Sequence, residues 1–160
     1  MKKNNTTDFA YHLTKIFTEY LTSQRNLSAN TISTYRYTFK LLLIYFNEEK
    51  HIKPNNLSIS TINRKNIEDF IVWLQKTRAC SASTCNQRLA ALKSFFQYLQ
   101  YELPDASLQC QENISIHPLK QAESTIKYLT IEGVKELLAQ PNTSDKYGRR
   151  DLALLSIMYD

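Results

Sequence analysis

The stretch Ser81-Ala-Ser-Thr-Cys-Asn-Gln-Arg-Leu-Ala-Ala-Leu-Lys-Ser-Phe-Phe-Gln-Tyr-Leu99 decides how the rest of the chain is read. Apolar residues recur at Cys85, Leu89, Leu92, Phe96 and Leu99, the spacing of an amphipathic helix with one core-facing stripe. The same period turns Ser83, Asn86, Gln87, Ala90, Ser94 and Gln97 outward, with Lys93 at the flank. These side chains are short or flexible and carry donors and acceptors suited to base edges, while Ala90 and Ser94 leave room for close backbone approach. A plain solvated face is the alternative, although such faces are more often rich in Glu and Lys.

A chain of 160 residues can form one good core, or one complete small domain followed by part of another, and the second option fits the pattern better. Only two glycines and four prolines occur, which disfavours a turn-dense all-β protein and favours long helices. No apolar run approaches the roughly 18 residues that span a bilayer, and Met1-Lys-Lys-Asn-Asn-Thr-Thr7 leads into no signal-peptide core. A soluble, cytoplasmic protein without a membrane partner is expected.

Charge is unevenly distributed. Residues 1–102 hold 14 Lys/Arg against 7 Asp/Glu, a balance of +7, whereas residues 103–160 hold 6 against 8, a balance of −2. A basic module gains phosphate affinity by releasing counterions, so binding of this kind weakens as salt rises. Cys80, Cys85 and Cys110 have no metal-ligand spacing and read as reduced thiols, with Cys85 in the helix core. His12, His51 and His117 stand apart from one another and from any cysteine pair. No metal site, cofactor, Gly-rich phosphate loop or small-molecule substrate is indicated.

Around the opening stretch, three further helices take shape. Residues 8–25 read as the first, with Asp8 available as N-cap and an apolar stripe of Phe9, Leu13, Ile16, Phe17, Tyr20 and Leu21. Ser28 is placed to cap a second helix reaching about Glu49, with Ile32, Tyr35, Phe39, Leu42, Leu43 and Phe46 inward and Asn30, Ser33, Thr34, Tyr37 and Lys40 outward. A loop from Lys53 leads to a third helix from about Arg64 to Arg78, burying Ile67, Phe70, Ile71 and Leu74 with Trp73 at its margin. Four such stripes can close one core.

From Leu103 to about Lys127 the periodicity dissolves and the chain reads as an interdomain linker, with room for a short helical turn. It returns at Tyr128, where Thr130 suits the N-cap of a short helix. After the interruption at Pro141, another apolar helix begins at Tyr147 and runs through Leu152, Leu155 and Ile157.

Three separated segments resemble the tyrosine recombinases, the phage-integrase family, in the order that family has them. Leu27-Ser-Ala-Asn-Thr-Ile-Ser-Thr-Tyr-Arg-Tyr-Thr-Phe-Lys40 is similar to its second-helix signature, and Arg88-Leu-Ala-Ala-Leu-Lys-Ser-Phe-Phe96 to its fourth. Tyr128-Leu-Thr-Ile-Glu-Gly-Val134 and Arg150-Asp-Leu-Ala-Leu-Leu-Ser-Ile-Met-Tyr159 look like the opening of its catalytic domain. The resemblance implies an all-α chain: a four-helix SAM-like core-binding bundle over residues 1–102, a linker over 103–127, and the first helices of an incomplete catalytic domain over 128–160.

It also implies double-stranded DNA as the partner, gripped by the second and fourth helices. The matching contact candidates are Asn30, Ser33, Thr34, Tyr37 and Lys40, then Ser83, Asn86, Gln87, Lys93 and Gln97, the same sides that helical periodicity turns outward. Arg36 and Arg88 project nearer the apolar stripe, where packing or an internal ion pair competes with DNA contact. In the family, the segment resembling Arg150 to Tyr159 leads into Thr-Gly-x-Arg, then a Lys, His-x-x-Arg and the nucleophilic Tyr. None of these is matched before Asp160, so the expectation is a truncated recombinase or mobile-element remnant that binds DNA and has no catalytic residue of its own. A protein-interaction module, or a dominant-negative regulator that joins other recombinase subunits, is the alternative.

Overall fold

The computed structural model describes residues 7–121 and 128–159. The polar leader 1–6, the end of the expected linker at 122–127, and Asp160 lie outside the described residues. Helices make up every described element, and no strand occurs among the described residues. The chain divides into two compact units, the first reaching Gln121.

Helix α1 (Asp8–Lys15) starts where the sequence suggests, but its cap is Thr7 and not Asp8. Thr7 is its N-cap, accepting the Ala10 N–H at 3.2 Å, while the Asp8 carboxylate accepts the N–H of Ile59 at 3.2 Å and ties α1 to the short turn Ile59–Thr61. The helix then widens into π-helical turns over Ile16–Gln24, closed by Arg25 N–H to the Tyr20 carbonyl at 2.9 Å. The wider turn replaces the uniform α-helix expected over 8–25, and it brings residues five apart to one side. Ile16 and Leu21 are accordingly both fully buried.

Three capped helices complete the bundle. Ser28 caps α2 (Ala29–Glu49), Asn63 caps α3 (Arg64–Thr77) and Ser81 caps α4 (Ala82–Glu102), each accepting the N–H three residues on. Helix α4 is central, packing against the π-helical segment, α2, α3 and a further helix. It therefore buries Ala91, Phe95 and Tyr98 in addition to the stripe read from its sequence. The ring of Phe95 meets Phe39 at 5.3 Å and Phe9 at 5.7 Å, joining α1, α2 and α4 in one aromatic centre. Trp73 sits inside the fold at 6% exposure, stacked on Phe70 at 6.0 Å, and not at the margin.

The stretch read as linker begins with structure of its own. After the turn Pro104–Ala106, helix α5 (Ser107–Ile114) packs on α4 and α3, so residues 103–121 belong to the first unit. Its buried residues are Cys110 and Asn113, and the Asn113 amide donates to the Ile62 carbonyl at 2.8 Å. An eight-residue helix whose fully buried side chains are one thiol and one amide offers little apolar period to read.

With so few glycines, the π-helical segment, α2 and α3 all stop at left-handed residues that carry side chains: Asn26 (φ 45°), His51 (φ 55°) and Ala79 (φ 49°). Each stop is closed by a bond from the next N–H back six residues, Leu27 to Leu21, Ile52 to Phe46 and Cys80 to Leu74, with apolar residues at both ends. Chain reversal is thereby tied to core burial.

In the second unit, Thr130 caps α6 (Ile131–Ala139) as expected. Asp145 Oδ1 accepts the N–H groups of Tyr147 and Gly148 at 2.7 and 2.8 Å at the start of α7 (Lys146–Tyr159). A Cβ at Gly148 would collide with the Asn142 carbonyl, so this position requires glycine.

Two predictions concern the first unit. Ala79→Gly relieves a left-handed alanine and is expected to stabilise the fold by about 1 kcal/mol, raising Tm by a few degrees, despite the added freedom of the unfolded chain. An unchanged or lower Tm contradicts this reading of the helix stop. Separately, His12 is buried with Nδ1 3.3 Å from the Tyr98 hydroxyl, and burial holds its pKa below 6.5, partly countered by Glu102. The folded state thus prefers neutral His12, so its contribution is complete above pH 6.5 and is lost as pH falls below that value. Denaturant unfolding between pH 7 and 5 should show stability declining, with a flatter profile in His12→Asn.

Candidate nucleic-acid interface

Packing α2 against α4 through their apolar sides leaves their small polar sides next to each other. Asn30, Thr31, Thr34 and Tyr35 of α2 and Gln87 and Ala90 of α4 line one shallow cleft. Three of the residues expected to touch DNA, Asn30, Thr34 and Gln87, are therefore brought together, and Ala90 keeps the floor low. Ser33, Tyr37 and Lys40 are exposed on α2, as are Ser83 and Gln97 on α4, with Lys93 half-buried. Lys40 borders a separate cleft that α1 and the π-helical segment form with α2, alongside Arg36, Leu13 and Phe17.

Asn86 is the exception. Its side chain is committed within the first unit, with Nδ2 donating to the Leu119 carbonyl at 2.9 Å and Oδ1 accepting the Leu119 N–H at 2.8 Å. This paired contact holds the chain beyond α5 against α4. A partner 33 residues away, met through its backbone, leaves no trace in the sequence.

The local charge has one sign. No Asp or Glu occurs between Glu19 and Glu48, nor between Asp69 and Glu102, while Arg25, Arg36, Lys40, Lys76, Arg78, Arg88 and Lys93 fall within those intervals. Most of both helices therefore carries cations and no carboxylate, an arrangement that raises local anion concentration. This gap in acidic residues was available in the sequence and is sharper than the net charge. Arg88, next in sequence to Gln87 of the cleft lining, has its guanidinium 4.9 Å over the Tyr37 ring, and Arg36 lies 5.6 Å over Phe17.

Other chemistry is sparse. Among the described residues, no group of three His, Cys, Asp or Glu could hold a metal ion. Cys80, Cys85 and Cys110 are free thiols, and burial pushes the thiol pKa of Cys85 and Cys110 upward. No described helix is long and apolar enough to cross a membrane.

The family described as phage integrase, N-terminal SAM-like domain, matches residues 15–102, which contain both helices of the cleft. The chain belongs to the phage-integrase family of tyrosine recombinases. Within that family it is similar to the "Putative integrase/recombinase y4rC" of Sinorhizobium fredii, 34% identical over 145 residues, covering 91% of this chain and 44% of the relative. It also matches tyrosine recombinase XerD of Listeria monocytogenes, 32% identical over 143 residues, at 89% of this chain and 46% of the relative. Tyrosine recombinase XerC of Herpetosiphon aurantiacus is 33% identical over 150 residues, at 89% and 44%. The chain thus spans less than half the length of these integrase-family relatives. No solved structure matches it.

The Asn86 contact makes a local prediction. Asn86→Ala leaves the Leu119 N–H without its acceptor, and the loss of about 1–2 kcal/mol of hydrogen bonding should speed amide exchange there roughly tenfold. Exchange at the wild-type rate would mean that the segment is held by something else.

Proposed function

We propose that this chain binds duplex DNA through the α2–α4 face and serves as the DNA-gripping part of a site-specific recombinase or integrase. One observation carries the reading: two helices present small polar side chains to a common cleft, in stretches of sequence without carboxylates. In this reading Lys40 and Lys93 neutralise phosphates and set register, while Asn30, Ser33, Thr34, Ser83, Gln87 and Gln97 reach base edges or sugar-phosphate oxygens. Tyr37 is exposed and lies under the Arg88 guanidinium. Asn86 holds Leu119 and reaches DNA only by releasing it.

Recombination itself is proposed as the process in which this binding takes part, with a phosphotyrosine intermediate formed by family residues that none of the motifs quoted above contains. We assign no catalytic residue to the chain. DNA binding accounts for the polar cleft without requiring one.

A second reading rests on the second unit, where Leu154, Ile157 and Met158 are exposed along α7. Association with another recombinase subunit would cover such a face, and in that case the chain regulates assembly by binding protein. An electrophoretic shift with the folded 160-residue chain, titrated with salt, separates the two. DNA binding predicts affinity that falls steeply with salt. Replacing Lys40 and Lys93 with Ala should weaken all duplexes alike and reduce the salt slope by about two, while Gln87→Ala changes sequence preference. Absence of binding at low salt, with subunit association retained in the Lys40/Lys93 variant, favours the regulator.

A further inference from the structure

Ion pairing distinguishes one cation in the first unit from several others. Lys15 pairs with Glu102, Lys50 with Asp69 at 2.9 Å and Arg64 with Glu68 at 2.9 Å. Arg88 is half-buried, and among the described residues no carboxylate pairs with it. Its Nε is shielded from solvent and has no acceptor, and its one hydrogen bond runs from Nη1 to the neutral Thr38 hydroxyl at a long 3.4 Å.

Partial removal of a cation from water without a counter-ion is unfavourable, and an arriving anion offsets that cost. The guanidinium is also held in place. Tyr37, itself 51% exposed, lies under it at 4.9 Å, and Thr38 anchors one end. Such fixing lowers the entropy lost when a planar fork engages two oxygens at once, the mode in which arginine binds phosphate. Arg88 follows Gln87 in sequence, and its partner Thr38 donates its hydroxyl to the carbonyl of Thr34, so the guanidinium is tied to two residues of the cleft already described.

We propose that Arg88, positioned by Tyr37 and Thr38, is a seat for a phosphodiester group of the nucleic-acid backbone. This inference rests on the DNA-binding reading and gives it a fixed point. The lysines on the same helices are mobile point charges that neutralise phosphates at variable geometry, whereas a stacked guanidinium specifies where one phosphate must lie. That phosphate then sets the register in which Asn30, Thr34 and Gln87 meet the groove. Arg88 in this role contributes to affinity for every sequence and discriminates none.

The test measures affinity of the full chain for two unrelated duplexes as a function of salt, together with thermal unfolding, in wild type, Arg88→Gln, Arg88→Lys and Tyr37→Ala. Loss of one phosphate contact should make the log–log salt slope of Arg88→Gln shallower by about 0.9 and weaken both duplexes by the same factor. Arg88→Lys keeps the charge but not the fork, so it should retain the wild-type slope and bind both duplexes several-fold more weakly. Tyr37→Ala should behave like Arg88→Lys, because the charge stays and its platform is lost.

A folded Arg88→Gln with the wild-type slope overturns the seat while leaving DNA binding intact. If that variant fails to fold, Arg88→Lys decides: wild-type affinity for both duplexes overturns the proposal, and a uniform several-fold loss supports it. A wild-type chain that binds neither duplex at low salt overturns the DNA-binding reading and the seat with it.

Discussion

The contact between Phe39 of α2 and Phe95 of α4 is the constraint on which the rest of the first unit depends. It places two aromatic rings at 5.3 Å inside the bundle and brings Phe9 of α1 into the same cluster. Once those apolar sides are joined, helical geometry leaves no freedom over what faces out. Asn30 and Thr34 must emerge beside Gln87 and Ala90, and the cleft between them follows from the core. Function here is a by-product of how an apolar stripe is oriented.

The same dependence explains which features could be read in advance. Helices α2, α3 and α4 are long, carry Ser or Asn caps and repeat large apolar residues at helical spacing over several turns, so their existence, faces and approximate ends follow from local physics. The π-helical turns do not, because Ile16, Phe17, Tyr20 and Leu21 satisfy an α-helical stripe equally well until packing selects the wider turn. Helix α5 is silent for another reason. Its buried residues are a cysteine and an asparagine, types that signal nothing about period, and its stability comes from α3 and α4.

Site residues divide along a similar line. Which side chains face outward could be read for nearly the whole set, since exposure on an amphipathic helix is a matter of angle. What each does could not. Asn86 and Gln87 are adjacent, polar and similar in chemistry, yet one spends both ends of its amide on Leu119 while the other lines the open cleft. Arg88, one position further, has a buried Nε, a ring beneath it and no acid beside it. Tertiary partners assign three different roles to three consecutive residues, and only the absence of carboxylates along most of both helices was visible beforehand as a common cause.

The most direct measurement is a nuclear magnetic resonance titration of the labelled chain with a short duplex, following every backbone amide at low and moderate salt. Perturbations are predicted to concentrate on the outward positions of α2 between Asn30 and Lys40 and of α4 between Ser83 and Gln97, and to fade as salt is raised. Shifts confined to α3 and α5, with the α2–α4 cleft unmoved, would contradict the assignment of that cleft to DNA.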